Sequence, residues 1–233
     1  MRIGVITDVH ANLPALAAVL RALASEGCDS VVHTGDAIGI GPHPAECLDL
    51  LLRSRAELVM GNHDAWFAFG LGEWEYGADE LAHQTWTHEQ LDPGLRPVVA
   101  KWPWEVSRRI GGQTALFTHY GRTADGSFAP PGRDTTVGDL DAMFRESAAD
   151  VVLFGHDHEA LEAVGSRWYV NPGSAGCHVR AEARAVIIEQ HGDDPIRIRH
   201  LAVPYDDTSV FEDLERRDVP ARDFIRSAFL RRH

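Results

Sequence analysis

Five short apolar runs in this chain each give way to side chains that ligate metals or move protons. IGVIT (3–7) leads into Asp8-Val9-His10, SVVHT (30–34) into Gly35-Asp36, and ELVM (57–60) into Gly61-Asn62-His63-Asp64. TALFT (114–118) leads into His119, and VVLF (151–154) into Gly155-His156-Asp157-His158. Carboxylate oxygen mixed with imidazole nitrogen suits borderline divalent ions such as Mn, Fe, Zn, Co or Ni. A carboxylate can bridge two ions through its two oxygens, and Asp36, central in the set, is the candidate bridge. Glycines 35, 61 and 155 permit tight turns and close backbone approach. If the Gly155-His158 segment is extended, its two imidazoles point to one side and each can serve a different ion. A single strand-end histidine is usually an ordinary surface or core residue. Five such ends, in this order, are read together as a metal site.

The elements that must position these groups follow from the same runs. Together with RWYV (167–170) and AVIIE (185–189) they are short, aliphatic and β-branched, as buried strands are. IRIRHLAV (196–203) alternates, which predicts an outer or edge strand. LPALAAVLRALASEG (13–27), with Pro14 near its start and Gly27 past its end, predicts a helix. PAECLDLLLRS (44–54) and TTVGDLDAMFRESAA (135–149) read similarly. The early strand–helix–strand spacing predicts βαβ units and a parallel-rich sheet. The later strands, with little helix between them, predict a second, more antiparallel sheet. In open α/β sheets ligands gather outside the carboxyl ends of the strands, so residues far apart in sequence can meet there.

The 233-residue chain has a formal net charge of −13 and no run of about 18 apolar residues. The charge argues against binding to a nucleic-acid backbone but not against a small phosphorylated substrate, because bound metal supplies positive charge locally. The N-terminus enters a strand at once, and the expected address is cytoplasmic. Cys28, Cys47 and Cys177 are scattered and form no metal-type pair. Residues 66–104 hold five of the six tryptophans and a helical segment, ADELAHQTWTHEQL; they are read as an insert that could cover a site. The tail (207–233) predicts one or two helices, with Phe224, Ile225 and Phe229 docking on the body or on a partner chain. The chain is expected to form one domain over 1–233, with a homo-oligomer possible.

DVH, GD, GNHD, a solitary His and GHDH, in this order, resemble the signature of the calcineurin-like metallophosphoesterase superfamily over roughly residues 1–190. NPGS (171–174) and GDAIGIGP resemble its smaller bacterial and archaeal phosphodiesterase-like branch. The resemblance implies an α/β fold of two mixed β-sheets packed as a sandwich between helices, αββα in four layers. It assigns Asp8, His10 and His158 to one divalent ion and Asn62, His119 and His156 to the other, with Asp36 shared. His63 matches the catalytic histidine, and Asn62 would also help place a phosphate oxygen. Manganese is the preferred ion, with Fe, Zn, Ni or Co as alternatives.

Two ions about 3.5–4 Å apart lower the pKa of a water held between them and present it in line to phosphorus. His63, with an ordinary pKa near ~6.5, can assist the leaving group opposite. Related protein phosphatases carry an aspartate and an arginine after GD and an arginine before GNH. Gly39, Ile40 and Met60 stand there instead, so two phosphate-gripping arginines and an acidic partner for His63 are missing. That favours a small phosphodiester over a phosphoprotein or a symmetrical dinucleoside tetraphosphate; phosphomonoesterase or nucleotidase action is the alternative. Arg122 or Arg133, on the loop after His119, could replace part of the charge and bind substrate, against the plainer reading of both as solvated loop arginines. Asp64 and Asp157 are read either as partners orienting imidazoles or as turn-stabilising residues. Asn171 is read as shaping the rim, and Trp66, Trp74 and Trp86 as packing residues that could stack on a base. His33 reads as structural. A reading from another class, a non-catalytic metal-binding interaction scaffold, is weakened by the presence of all seven ligand positions and His63.

Overall fold

The computed structural model of the protein describes residues 1–72, 77–130, 132, 135–192 and 194–230. Trp74 and Arg133 lie outside the described residues. Among these residues there are ten strands in two five-stranded mixed sheets. β1 (Arg2–Ile6), β2 (Ser30–His33) and β3 (Glu57–Leu58) run parallel, linked by α1 (Leu13–Ser25) and α2 (Pro44–Ser54). β4 (Glu105–Ile110), β5 (Gln113–Thr118), β6 (Val151–Leu153), β7 (Leu161–Val164) and β8 (Trp168–Asn171) form the second sheet, in the order β4-β5-β6-β8-β7. β9 (Glu182–Glu189) and β10 (Arg197–Pro204) return to the first, in the order β10-β9-β1-β2-β3.

The expectation of a separate, more antiparallel late sheet is corrected here. β5, β6 and β8 are mutually parallel, whereas β9 pairs antiparallel with β1. The cause is two-sided burial along β9. Ala183, Ala185 and Ile187 face the helices, and Val186 and Ile188 face the second sheet, so β9 must be an inner strand. β10, with its alternating burial, takes the edge beside it.

The same alternation builds the four layers. Ile3, Val5, Phe117, Val151, Leu153 and Val170 fill the space between the sheets. Leu116, Val152 and Tyr169 point outward from the second sheet, against Leu140 of α6 (Val137–Met143). On the far side of the first sheet, Leu16, Val19 and Leu23 of α1 and Cys47, Leu48 and Leu51 of α2 pack at helical spacing. Each fully buried leucine there contributes roughly 1.5–3 kcal/mol relative to exposure. α1 starts where Asn12 accepts a hydrogen bond from the Ala15 N–H.

α6 is shorter than the predicted 135–149 helix because a Thr136/Asp139 capping box starts it and the chain leaves helical geometry at Phe144. α3 (Asn62–Phe69), β4 and β7 were not anticipated. α4 (Ala78–Glu89) matches the predicted insert helix, and a short α5 (Arg96–Val99) follows. The predicted insert boundary at 66 falls inside α3, whose first turn holds Asn62 and His63. The tail forms α7 (Thr208–Arg216) and α8 (Arg222–Ile225), which runs on into a π turn, Arg226–Leu230. Ile225 and Leu230 dock with Val210, Leu214 and Val219 on Ile40 and Cys177, while Phe224 is exposed. No helix among the described residues is long and apolar enough to cross a membrane.

Candidate metal centre

Backbone hydrogen bonds lace the strand ends together. Asp8 N–H donates to Gly35 O, His10 N–H to Asp36 O, Gly155 N–H to His119 O and Ser174 N–H to His158 O, all at 2.8–3.0 Å. These close approaches require the glycines. Gly35 adopts φ +108, and a Cβ there would lie 2.6 Å from His119 Nδ1; Gly61 and Gly155 are crowded in the same way against Asp36 and Asp8. The non-glycine residues are strained too. Asp8, His10, Asp36, His156 and His158 have φ values of 51, 45, 60, 73 and 63°. Left-handed backbone costs on the order of 1 kcal/mol or more per residue, and such strain clusters at functional sites. The expected extended geometry of His156 and His158 is therefore corrected. A left-handed turn, not strand alternation, carries both rings into the centre.

The seven predicted ligand residues meet as two groups around Asp36. In the first, His10 Nε2 lies 2.9 Å from His158 Nε2, and each is 3.7 Å from an Asp8 carboxylate oxygen. In the second, Asn62 Oδ1 is 3.0 Å from both His119 Nε2 and His156 Nδ1, which are 3.2 Å apart. Asp36 Oδ2 reaches 3.7 Å from His10 Nε2 and 3.4 Å from His119 Nε2. One carboxylate oxygen thus faces both groups.

The donor set fits cations. His10 Nδ1 and His119 Nδ1 point at the carbonyls of Ile38 and Thr34, which places their protons outward and their Nε2 lone pairs inward. Those lone pairs meet other acceptors: a second imidazole, the Asn62 carbonyl and two buried carboxylates. Among the described residues no Lys or Arg pairs with Asp8 or Asp36. Burial drives the His10, His156 and His158 rings to lower pKa, His156 to about 3, which keeps them in the neutral, ligating form. His119 goes the other way. Burial pushes it down, but the adjoining Asp36 carboxylate raises it to about 9. Burial likewise pushes the Asp36 carboxyl up, but the neighbouring His119 and His63 hold it well below its ordinary value. A cation would displace the His119 proton.

His63 sits beside the first group, its ring centroid 5.0 Å from that of His10 and 4.6 Å from Trp66. One of its ring nitrogens clusters with His10 and Asp36. Its backbone N–H donates to Asp36 Oδ1 at 2.9 Å, and its Nδ1 meets Gln84 Nε2 at 3.2 Å. Asp64 orients backbone, not an imidazole: its carboxylate accepts from the N–H groups of Asp36, Ala37 and Gly61. Burial, with Asp36 nearby, raises its pKa to about 7. Asp157 accepts from the Tyr120 and Thr135 hydroxyls and from Gly132 N–H, bracing the loop after His119. Asn171 is buried and donates to Gly155 O at 3.1 Å, and Ser174 Oγ donates to Asp8 O at 2.7 Å; NPGS holds two ligand turns in place.

Arg122 binds its own loop at the Gly126 carbonyl and stacks over Trp104 at 4.1 Å. Trp104 packs in turn on Phe128, and Phe128 on His119, so two aromatic rings link Arg122 to the centre. Trp86 packs in the tail cluster and stacks on His83. His33 is buried in β2, its pKa lowered to about 3 by burial, in keeping with a structural role. Sequence reasoning missed Gln84, Phe128 and Cys177. The Cys177 Sγ clusters with the His10 and His158 nitrogens, and burial holds its thiol well above its ordinary pKa, hence protonated. No spacing signal marks any of the three.

Fold and centre together define an αββα sandwich with a cluster of buried and half-buried side chains that could hold metal at the ends of its central strands. A profile of the calcineurin-like phosphoesterase superfamily domain matches residues 1–193, and the chain belongs to that superfamily. An uncharacterized protein of Methanocaldococcus jannaschii is 32% identical over 124 residues, 50% of this chain and 48% of that protein, so the match spans about half of that relative's length. Among solved structures, a hypothetical protein of Pyrococcus horikoshii superposes with a TM-score of 0.79 at 21% identity, covering 98% of this chain and 97% of the other. A metallophosphoesterase of Sphaerobacter thermophilus gives 0.70 at 23% identity, covering 97% and 96%. At these identities the two structures establish the common fold.

Proposed function

We propose that the protein hydrolyses small phosphoesters, diesters ahead of monoesters, using two divalent transition-metal ions. Asp8, His10 and His158 would hold one ion, Asn62, His119 and His156 the other, and Asp36 both. When bound, such ions supply Lewis-acid stabilisation of charge on the phosphoryl oxygens and activation of water for in-line attack. The chain's own groups do the rest. The Asn62 amide nitrogen, on the far side of the amide from its ligating oxygen, donates to a phosphoryl oxygen. His63 gives a proton to the departing alkoxide, help typically worth about 10²–10⁴ in rate. The single observation that carries the reading is the inward meeting of imidazole nitrogens, an amide oxygen and two carboxylates with no Lys or Arg among the described residues to neutralise them.

The diester preference rests on charge. A monoester carries one more ionisable oxygen, and Arg122 would have to leave the Gly126 carbonyl to help grip it. The test is a panel of bis-p-nitrophenyl phosphate and p-nitrophenyl phosphate on chelator-stripped protein resupplied with Mn, Fe, Ni or Zn. Metal-restored turnover with the diester favoured is expected. Bound metal with no turnover of either ester would instead favour the scaffold reading.

A further inference from the structure

We propose that Gln84, on the insert helix α4, is the positioning residue of His63, donating from its amide nitrogen to His63 Nδ1 and so keeping the ring proton on Nε2. The inference rests on the reading of His63 as the leaving-group histidine. Four observations carry it. The amide nitrogen lies 3.2 Å from Nδ1. Gln84 is only 3% exposed, and its Oε1 is buried with no hydrogen-bond partner among the described residues; burying an unpaired carbonyl is unfavourable, so the side chain is held inside against its own solvation. The strand-end loop itself offers His63 no side chain there. Gly39, at φ +84, lies flush against the ring, and a Cβ at that position would collide with Nδ1. Finally, α4 is anchored independently of the centre. His83 Nδ1 hydrogen-bonds to Pro220 O at 3.2 Å, and Trp86 packs in the tail cluster, so Gln84 is presented to the ring and not dragged along by it.

The physical consequence is selection between two ring states. Trp66 packs edge-on against His63, and Gly39 closes another side, so the remaining freedom is a half-turn of the imidazole or a shift of its proton between nitrogens. A donor aimed at Nδ1 makes that nitrogen the acceptor, which leaves the N–H on Nε2. A neutral histidine can protonate an alkoxide only from the nitrogen that carries its hydrogen, and Gln84 fixes which one that is.

Gln84→Met keeps length and volume but removes the donor. On a phosphodiester with an alkyl leaving group it should lower kcat about 10- to 100-fold with KM little changed, and at least ten times less on bis-p-nitrophenyl phosphate, whose leaving group needs no proton. In a His63→Ala background the same substitution should cost nothing further. Equal losses on both esters, equal losses in both backgrounds, or no loss in either would overturn the assignment. If the wild-type protein turns over neither ester, the functional reading fails, and the Gln84 claim is decided by ¹⁵N NMR of labelled histidine in the zinc-loaded protein. The Nε2–H tautomer of His63 is expected in wild type, a mixture in Gln84→Met, and Nδ1–H in Gln84→Glu, whose carboxylate only accepts. One tautomer in all three proteins would overturn the proposal.

Discussion

The two halves of the donor cluster are positioned alike but charged and covered differently. The first, Asp8, His10 and His158, has a carboxylate of its own in addition to Asp36. It is covered by the tail and the insert: Phe229 of the tail lies 5.8 Å from His158, and Gln84 of α4 reaches the adjoining His63. The second, Asn62, His119 and His156, shares Asp36 and otherwise offers a neutral amide and two imidazoles. Its cover is Phe128 of the loop after His119, at 5.1 Å from that ring. Charge count is what separates them. The first half should hold its ion more tightly, and the second should exchange its ion more readily.

The largest expected effect removes the residue common to both halves. Asp36→Ala should lose both ions and lower turnover by on the order of 10³-fold or more, measured by elemental analysis beside the diester assay; retention of two ions would break the account. Next, His63→Ala should keep both ions yet lose about 10²–10⁴ in rate on alkyl leaving groups. The comparison itself is sharpened by Asp8→Ala against Asn62→Ala. The first should abolish binding in its half, whereas the second should weaken one ion by about 10- to 100-fold and leave the other titrating as in wild type. Equal weakening by calorimetry would mean that the halves are equivalent.

The smallest effect concerns the cover of the first half. Burial, with His63 nearby, lowers the His83 pKa to about 4, although its bond to Pro220 O opposes this, against about 6.5 in the unfolded chain. Between those values the unfolded chain binds the extra proton, so the contribution of His83 to stability is complete above about pH 6.5 and is lost as pH falls towards 4. His83→Asn, which keeps a donor for Pro220 O, should flatten the acid limb of the urea midpoint against pH. An unchanged slope would place the acid sensitivity elsewhere.

This difference between the halves also marks what could be read from sequence. The meeting of the candidate ligands was legible because each follows a strand whose apolar run is visible, and parallel strands deliver their carboxyl ends to one edge. NPGS, which holds the Asp8 and Gly155 turns, was legible as a motif with its role left open. The left-handed backbone of His156 and His158 was not, because it is imposed by hydrogen bonds from segments distant in sequence, such as Ser174 N–H to His158 O. α3 was hidden behind GNHD, which reads equally well as a turn; Gly61 followed by Asp64, whose carboxylate accepts from the Gly61 N–H, is the cap that could have revealed it. Gln84 and Phe128 were not legible, since a glutamine on a helix and a phenylalanine in a Gly/Pro-rich loop acquire meaning only from the ring each meets. The return of β9 beside β1 was missed for a similar reason: burial on both faces is a property of neighbours not adjacent in sequence.

The most direct measurement is an anomalous difference map from a crystal soaked in manganese. The account predicts two peaks within one pocket, one contacted by Asp8, His10 and His158, the other by Asn62, His119 and His156, with Asp36 touching both. A single peak, or peaks that leave Asp36 without a contact to either ion, would contradict it.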